Sequence, residues 1–434
     1  MDKKQILKYF IIIQPILDLI TSLQSIYLNL DISLSLMIRG ISFILVIIYF
    51  LFLSNNKIIK NYMILISSYI FIYLLNIYFI KGNDYLLSEI YTFIRFFYFP
   101  IMLVFIYSIY KEYKNTDLFN KQMITYITLF YFLIASIAFI SNTSFPSYMG
   151  DDKIGYNGWF YSANERGNTY AILLPYLFIF FIKDLRYIGL IILGIFAMLI
   201  LGTKVGFMAV IGTLVSALIY FMLKKITIKN NNIFFIGIIS TILITILLLI
   251  QYLPFYKNIE LQNTKVTEII EEKKEIKEEI IEIPSDNYNN LIENKGQNLI
   301  YSGREIFFKQ NKEYYLNQSI TNKLIGYGLE NKYIDNMKIS NKVEIDIIDI
   351  LFCFGLIGFI LYFLPLGYLL YKIIRLIPKK INNIFESSLW FKAISILLAL
   401  GISFFAGHIF VSPSVSIYLI LSICSFYFEY AKNK

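Results

Sequence analysis

Few charged residues interrupt the long apolar stretches of this chain, and most of those that do are cations. Arg39 and Arg95 each stand about one turn inside a run of Ile, Leu, Phe and Tyr. Arg166 opens a third run, and Lys204 lies in the short Gly202-Thr203-Lys204 break between two more. Arg304 follows Ser302-Gly303 in the one long polar segment, and His408, the only histidine, sits near the end of a late apolar run. An ionisable group inside a membrane span costs about 2.5–3.5 kcal/mol on insertion scales, and six cations gathered toward the outer side run against the positive-inside rule, so the set requires compensation. One form is internal pairing with Glu89, Glu165, Glu344, Asp346 or Asp349. The other is an anionic ligand such as a phosphate or pyrophosphate, which arginine forks grip bidentately. As a set, the six cations favour the ligand. Asp18 and Lys392 lie apart and read as structural or border residues.

Three stretches rich in small and polar residues accompany the cations. Gly155–Gly167 (GYNGWFYSANERG) places Asn164, Glu165 and Arg166 at a helix start, where free backbone N–H groups favour anions and where an Asn also serves as a simple cap. Ser302-Gly303-Arg304 and Gly326-Tyr327-Gly328 are flexible turns. Glu344-Ile345-Asp346-Ile347-Ile348-Asp349 leads into FCFGLIGF, and acids at a helix start also suit its dipole.

The elements that must carry these residues are membrane helices. Hydrophobic residues make up 57% of the 434 and charged residues only 16%, well short of the roughly 25% usual in soluble domains. A soluble globular enzyme, a disordered chain and a disulfide scaffold are excluded. At about 20 residues per span, helices are expected near 6–29, 34–53, 61–80, 90–110, 122–141, 166–182, 187–201, 205–223, 233–253, 346–371, 387–410 and 413–430. The breaks between them alternate between basic and cation-poor. With twelve spans and both termini in the cytoplasm, every basic cluster falls inside, as the positive-inside rule requires. The net charge of +9 therefore reports topology and not nucleic-acid binding. The expectation is an all-α integral membrane protein organised as 1–253 (nine helices), 254–345 (a long extracytoplasmic loop) and 346–434 (three helices). The basic start of the chain reads as a retained first helix and not a cleaved signal, since no small-residue cleavage site follows. Thr267 to Ile283 reads as an amphipathic helix on the loop. Cys353 and Cys424 lie in apolar runs with no metal or redox spacing. No nucleotide signature is present, and no cofactor or metal is expected.

In order and placement these motifs resemble the O-antigen ligase and polymerase superfamily, multi-pass enzymes that act on lipid-linked glycans. The resemblance rests on Ser162-Ala163-Asn164-Glu165, Gly202-Thr203-Lys204, Ser302–Arg304, Gly326–Leu329 and the helix with Gly355–Gly358. Its ligases carry a His-Asn where this chain has Glu344 and Asp346, so the nearest likeness is to the polysaccharide polymerase-like branch. The resemblance implies a metal- and nucleotide-independent, inverting glycosyltransferase at the outer face of the cytoplasmic membrane. The donor would be an undecaprenyl-pyrophosphate glycan and the acceptor another glycan or lipid-linked unit, with membrane lipids around them. Arg304, Arg166, Arg39, Arg95 and Lys204 would hold the pyrophosphate as its charge develops. Glu344, followed by His408 or Glu165, would take the acceptor proton.

The competing class is a transporter or flippase for an anionic solute or lipid-linked glycan. It would need a polar path across the membrane, and the inner halves of the expected helices are nearly free of charge. A purely structural subunit leaves the outer cations unexplained.

Overall fold

The structure is a computed structural model that describes residues 2–28, 33–113, 118–148, 152–225, 231–262, 264, 304–330, 332–334, 337–338 and 342–432. The expected amphipathic helix at Thr267–Ile283 and the Ser302-Gly303 pair lie outside the described residues. Each of the twelve apolar stretches is a helix: α1 (Lys3–Tyr27), α2 (Leu34–Ile48), α3 (Lys57–Lys81), α4 (Leu86–Tyr113), α5 (Lys121–Ile140), α6 (Ala163–Phe181), α7 (Tyr187–Ile200), α8 (Lys204–Lys225) and α9 (Asn231–Leu248). After the long polar segment come α12 (Asp346–Lys380), α13 (Ser387–Phe405) and α14 (Pro413–Lys432). The polar segment itself contributes α10 (Arg304–Leu316), α11 (Ile320–Ile325) and a small antiparallel ribbon of β1 (Tyr333–Ile334) and β2 (Met337–Lys338). Among the described residues, nine helices are long and apolar enough to cross a membrane. In lipid an open backbone has no water to bond, so helices that satisfy their own N–H and C=O groups are the stable solution. Side-chain caps start several of them: Ser33 accepts from Leu36 N, Asn56 from Ile59 N and Asn120 from Met123 N.

Two helices form the axis of the bundle. All of α6 from Arg166 to Phe181 is buried, as is α14 from Pro413 to Phe426. A helix that is apolar on every side belongs in an interior. Around this axis stand helices that bury only one stripe. On α2 and α3, Ile41, Leu45, Leu65 and Phe71 face outward, as lipid-facing side chains do. The basic breaks share one end of the bundle, where Lys3 reaches Tyr49 and Glu112 and Lys380 reaches the Tyr430 and Ala431 carbonyls. The polar stretches gather at the other end.

In the second half of the chain, three boundaries differ from the sequence expectation by five residues or more. Helix α9 stops at Leu248 and not near 253, while α12 runs on to Lys380, past 371. Helix α13 stops at Phe405 and not near 410, because Gly407 and His408 adopt left-handed φ of 65° and 64°. His408 thus lies in the turn after α13 and not within it.

Helix α12 is broken at Gly355, whose φ of 62° and ψ of −175° leave the helical region. A Cβ there would come within 2.6 Å of the Leu324 carbonyl oxygen. The groups freed by the break find partners, as a buried interruption must. Tyr69 Oη donates to the carbonyls of Phe354 (2.7 Å) and Ile325 (2.8 Å), and Gly328 N donates to Cys353 O (3.1 Å). Glu89 closes this junction. Its fully buried carboxylate accepts from Tyr73 Oη, Lys81 Nζ and the backbone N–H groups of Leu329 and Glu330. Any Cβ at Gly328, where φ is 77°, would collide with that carboxylate. The Gly-Tyr-Gly-Leu stretch is therefore a strap pinned to α3 and α4. Gly328→Ala should lower the melting temperature sharply, while Leu329→Met in the same strap should not; differential scanning fluorimetry of the two proteins compares them.

Candidate functional site

The cations are brought together by an acid that the sequence reading set aside. Asp18, in the middle of α1, is buried and accepts from Arg39 Nη2 of α2 at 2.6 Å, Arg166 Nη1 of α6 at 3.0 Å and Tyr131 Oη of α5 at 2.6 Å. Reading Asp18 as peripheral is corrected: it is the hub of the cluster. Arg39 is fixed further by Gln14 Oε1 and Ser35 Oγ. The Arg166 guanidinium lies 5.0 Å from the ring centroids of both Tyr131 and Phe160. One carboxylate between two buried arginines leaves one positive charge over. Buried charge is tolerated only when paired and hydrogen-bonded, so the surplus needs a further anion.

Above this floor the cluster opens. Arg95 of α4 approaches Glu165 at 3.5 Å, and Glu165 also lies 3.9 Å from Arg166 and accepts from Ser414 Oγ at 2.7 Å. Arg95 and Glu165 keep 26% and 20% side-chain exposure, against 3–6% for the Asp18 group, so these two are the more accessible pair of the cluster. A cavity of about 330 Å³ joins the two levels. It is lined by Asp18, Arg39, Arg95, Glu165, Arg166 and His408, with hydroxyls from Thr21, Ser22, Ser35 and Ser414 around them. Three arginines face two carboxylates there, so the wall carries a net positive charge. Lys342, in the segment entering α12, adds another cation nearby. Burial first and Arg95 second hold its ammonium below the usual lysine range.

Local sequence explains how α6 offers its residues. Ser162, not Asn164, caps the helix, accepting from Glu165 N at 3.4 Å. This sets Glu165 and Arg166 in the first turn, facing the cavity, while Asn168 donates to Gly407 O at 3.0 Å and fixes the turn that carries His408.

Two further candidates stand just behind that turn. Glu344 has a left-handed φ of 64°, as His408 does, and such non-glycine outliers persist only where surroundings enforce them. The enforcement comes from the acids of α12. Asp349 accepts from Val343 N (2.7 Å) and Glu344 N (3.0 Å). Asp346 accepts from His408 N (2.6 Å), Ile409 N (2.8 Å) and Phe410 N (2.7 Å). Asp346 and Asp349 are thus backbone anchors and leave Glu344 free to pair with Arg304 Nη2 at 3.1 Å. The Glu344 carbonyl packs on Gly407, beside His408. Arg304, Glu344 and Lys204 do not line the arginine cavity; Lys204 lies within electrostatic reach of Arg304 and Lys153. Lys392 pairs with Glu429 on α14, consistent with a structural role.

Arginine pairs at a floor, a half-open Arg–Glu pair, hydroxyls and an imidazole together make a cavity that can hold a multiply charged anion beside a proton acceptor. Residues 2–430 match a family model described as O-antigen ligase like membrane protein. No curated protein and no solved structure matches the chain.

Proposed function

This chain belongs to the O-antigen ligase-like family of membrane proteins, and from that premise we propose that it transfers a glycan from undecaprenyl pyrophosphate to a second glycan or lipid-linked unit. The observation that carries the reading is the convergence of Arg39, Arg95 and Arg166, from three separate helices, on one open hydroxyl-lined cavity that also presents His408.

The proposed chemistry uses these groups as follows. An acceptor hydroxyl gives its proton to His408 and attacks the anomeric carbon. The bond from that carbon to the pyrophosphate oxygen breaks with inversion, and undecaprenyl pyrophosphate leaves with both electrons. Charge grows on the leaving oxygens, where arginines already fixed by Asp18 and Glu165 stabilise it without rearranging. Of the three candidate bases, His408 and Glu165 line the cavity. Glu165 is engaged by Arg95 and Ser414, and Glu344 by Arg304, so His408 is the acceptor of choice. The polar end of the bundle would face outward and the basic end the cytoplasm, with both termini on the cytoplasmic side of the membrane. A carrier reading is less well supported, because beyond Asp18 the axis is packed with the largely apolar lower halves of α6 and α14.

Mixing purified protein with a labelled undecaprenyl-pyrophosphate oligosaccharide should yield longer glycans and free undecaprenyl pyrophosphate; label that merely changes membrane side would favour the carrier. Cysteines at 142–148 or 318–323 should react with an impermeant reagent applied from outside, and cysteines at 372–375 should not. In the transfer assay Arg304→Ala should lose nearly all turnover, with Arg304→Lys recovering only part, because an ammonium cannot reproduce a guanidinium fork.

A further inference from the structure

Arg166 turns toward Asp18, but its neighbour Gly167 turns the other way and packs 3.5 Å, measured from a built Cβ, from Thr203 Oγ1. On that side of α6 a second polar group assembles from four segments of the chain. Asn258, in a helical stretch over 254–262, is the staple. It accepts from Ile154 N (2.7 Å) and donates to Ile154 O (2.6 Å) and Gly202 O (3.0 Å). This draws Lys153, whose ammonium sits 5.2 Å from the centroid of the Tyr148 ring, toward Lys204 at the start of α8. Arg304 and Glu305, opening α10, complete the group within electrostatic reach of Lys204.

Glu305 is the anomaly. Both of its carboxylate oxygens are buried, and neither accepts a hydrogen bond. It stands in the first turn of α10, yet it caps none of that helix's N–H groups. A buried acceptor left unsatisfied costs about 1–3 kcal/mol, and more when charged, so it calls for a donor from elsewhere. Three cations around a donor-hungry carboxylate describe a ligand with an anionic group and a hydroxyl. A single leaving pyrophosphate needs only one cradle, and the arginine cavity provides it.

We propose that Lys153, Lys204, Arg304 and Glu305 form a second ligand site that holds the acceptor, a glycan bearing a negative group, with the anion on the cations and one hydroxyl donating to Glu305. The proposal rests on the transfer reading above. Its placement suits that reading: Arg304 pairs with Glu344, whose carbonyl lies against Gly407 next to His408, so a ligand seated here would adjoin the base from the side opposite the donor. The negative group is either the acceptor's own lipid pyrophosphate or an acidic sugar.

The full chain in lipid nanodiscs, titrated with inorganic pyrophosphate and separately with glucuronate, tests this. Wild type should bind two equivalents of anion. Lys204→Gln should remove one and Arg95→Gln the other. Loss of the pyrophosphate equivalent in Lys204→Gln marks a lipid-linked acceptor, and loss of glucuronate alone marks an acidic sugar. In the transfer assay Glu305→Gln should raise the acceptor KM about tenfold or more and leave the donor KM unchanged. A single equivalent abolished by both Lys204→Gln and Arg95→Gln would overturn the second site, as would a donor KM that rises with Glu305→Gln. Two equivalents without any transfer would instead sink the transfer reading and leave the site standing.

Discussion

Replacing Asp18 by Asn should cost the purified protein about 3–5 kcal/mol of stability, the penalty of leaving buried charge without its partner. Arg39 and Arg166 keep only 6% and 3% side-chain exposure, so the little water that reaches them replaces the lost carboxylate poorly. Tyr131 also loses its charged acceptor. The same variant should respond to pyrophosphate more strongly than wild type, because an added anion replaces the missing charge between the two guanidinium groups. Thermal unfolding in detergent, with and without pyrophosphate, measures both effects. An Asp18→Asn protein that melts with wild type would mean that the arginines are balanced elsewhere. An equal shift with pyrophosphate in both proteins would place the anion away from this floor.

The second large effect concerns proton transfer. His408→Gln should reduce turnover by about 10²–10⁴-fold, the usual contribution of a positioned general base, with an unchanged melting temperature. Stability should be spared because the turn at 408–410 is held through its backbone N–H groups by Asp346 and not through the imidazole. Asp346→Ala should behave oppositely, losing stability and activity together as three backbone donors lose their acceptor. Wild-type turnover in His408→Gln would move the base to Glu344 or Glu165, and the Gln variants of those two then separate them.

The helices were legible because an apolar run of about 20 residues has one stable form in lipid. The arginine cluster was legible in kind, since six costly charges could not all be incidental. Its hub was not. Asp18 stands 21 residues from Arg39 and 148 from Arg166, and no local spacing joins an acid in one run to cations in two others. A lone carboxylate inside a run that already holds Gln14 was the available signal. The acids at 344, 346 and 349 read as one motif, but the fold divides them: Glu344 pairs with Arg304 while the other two grip backbone. That division depends on which turns lie against α12, which is a tertiary fact. Extending α13 through His408 was an error of the same origin, because the left-handed turn at Gly407 and His408 packs against Asp346 and Glu344, some sixty residues earlier in the sequence.

The two anchoring acids make one turn of one helix the common origin from which both the His408 and the Glu344 loops are measured. Alignment of these residues is then independent of how many residues separate 264 from 304. A change of chain length there would leave the register of His408 against Glu344 untouched, because Asp346 and Asp349 hold both turns from one end of α12.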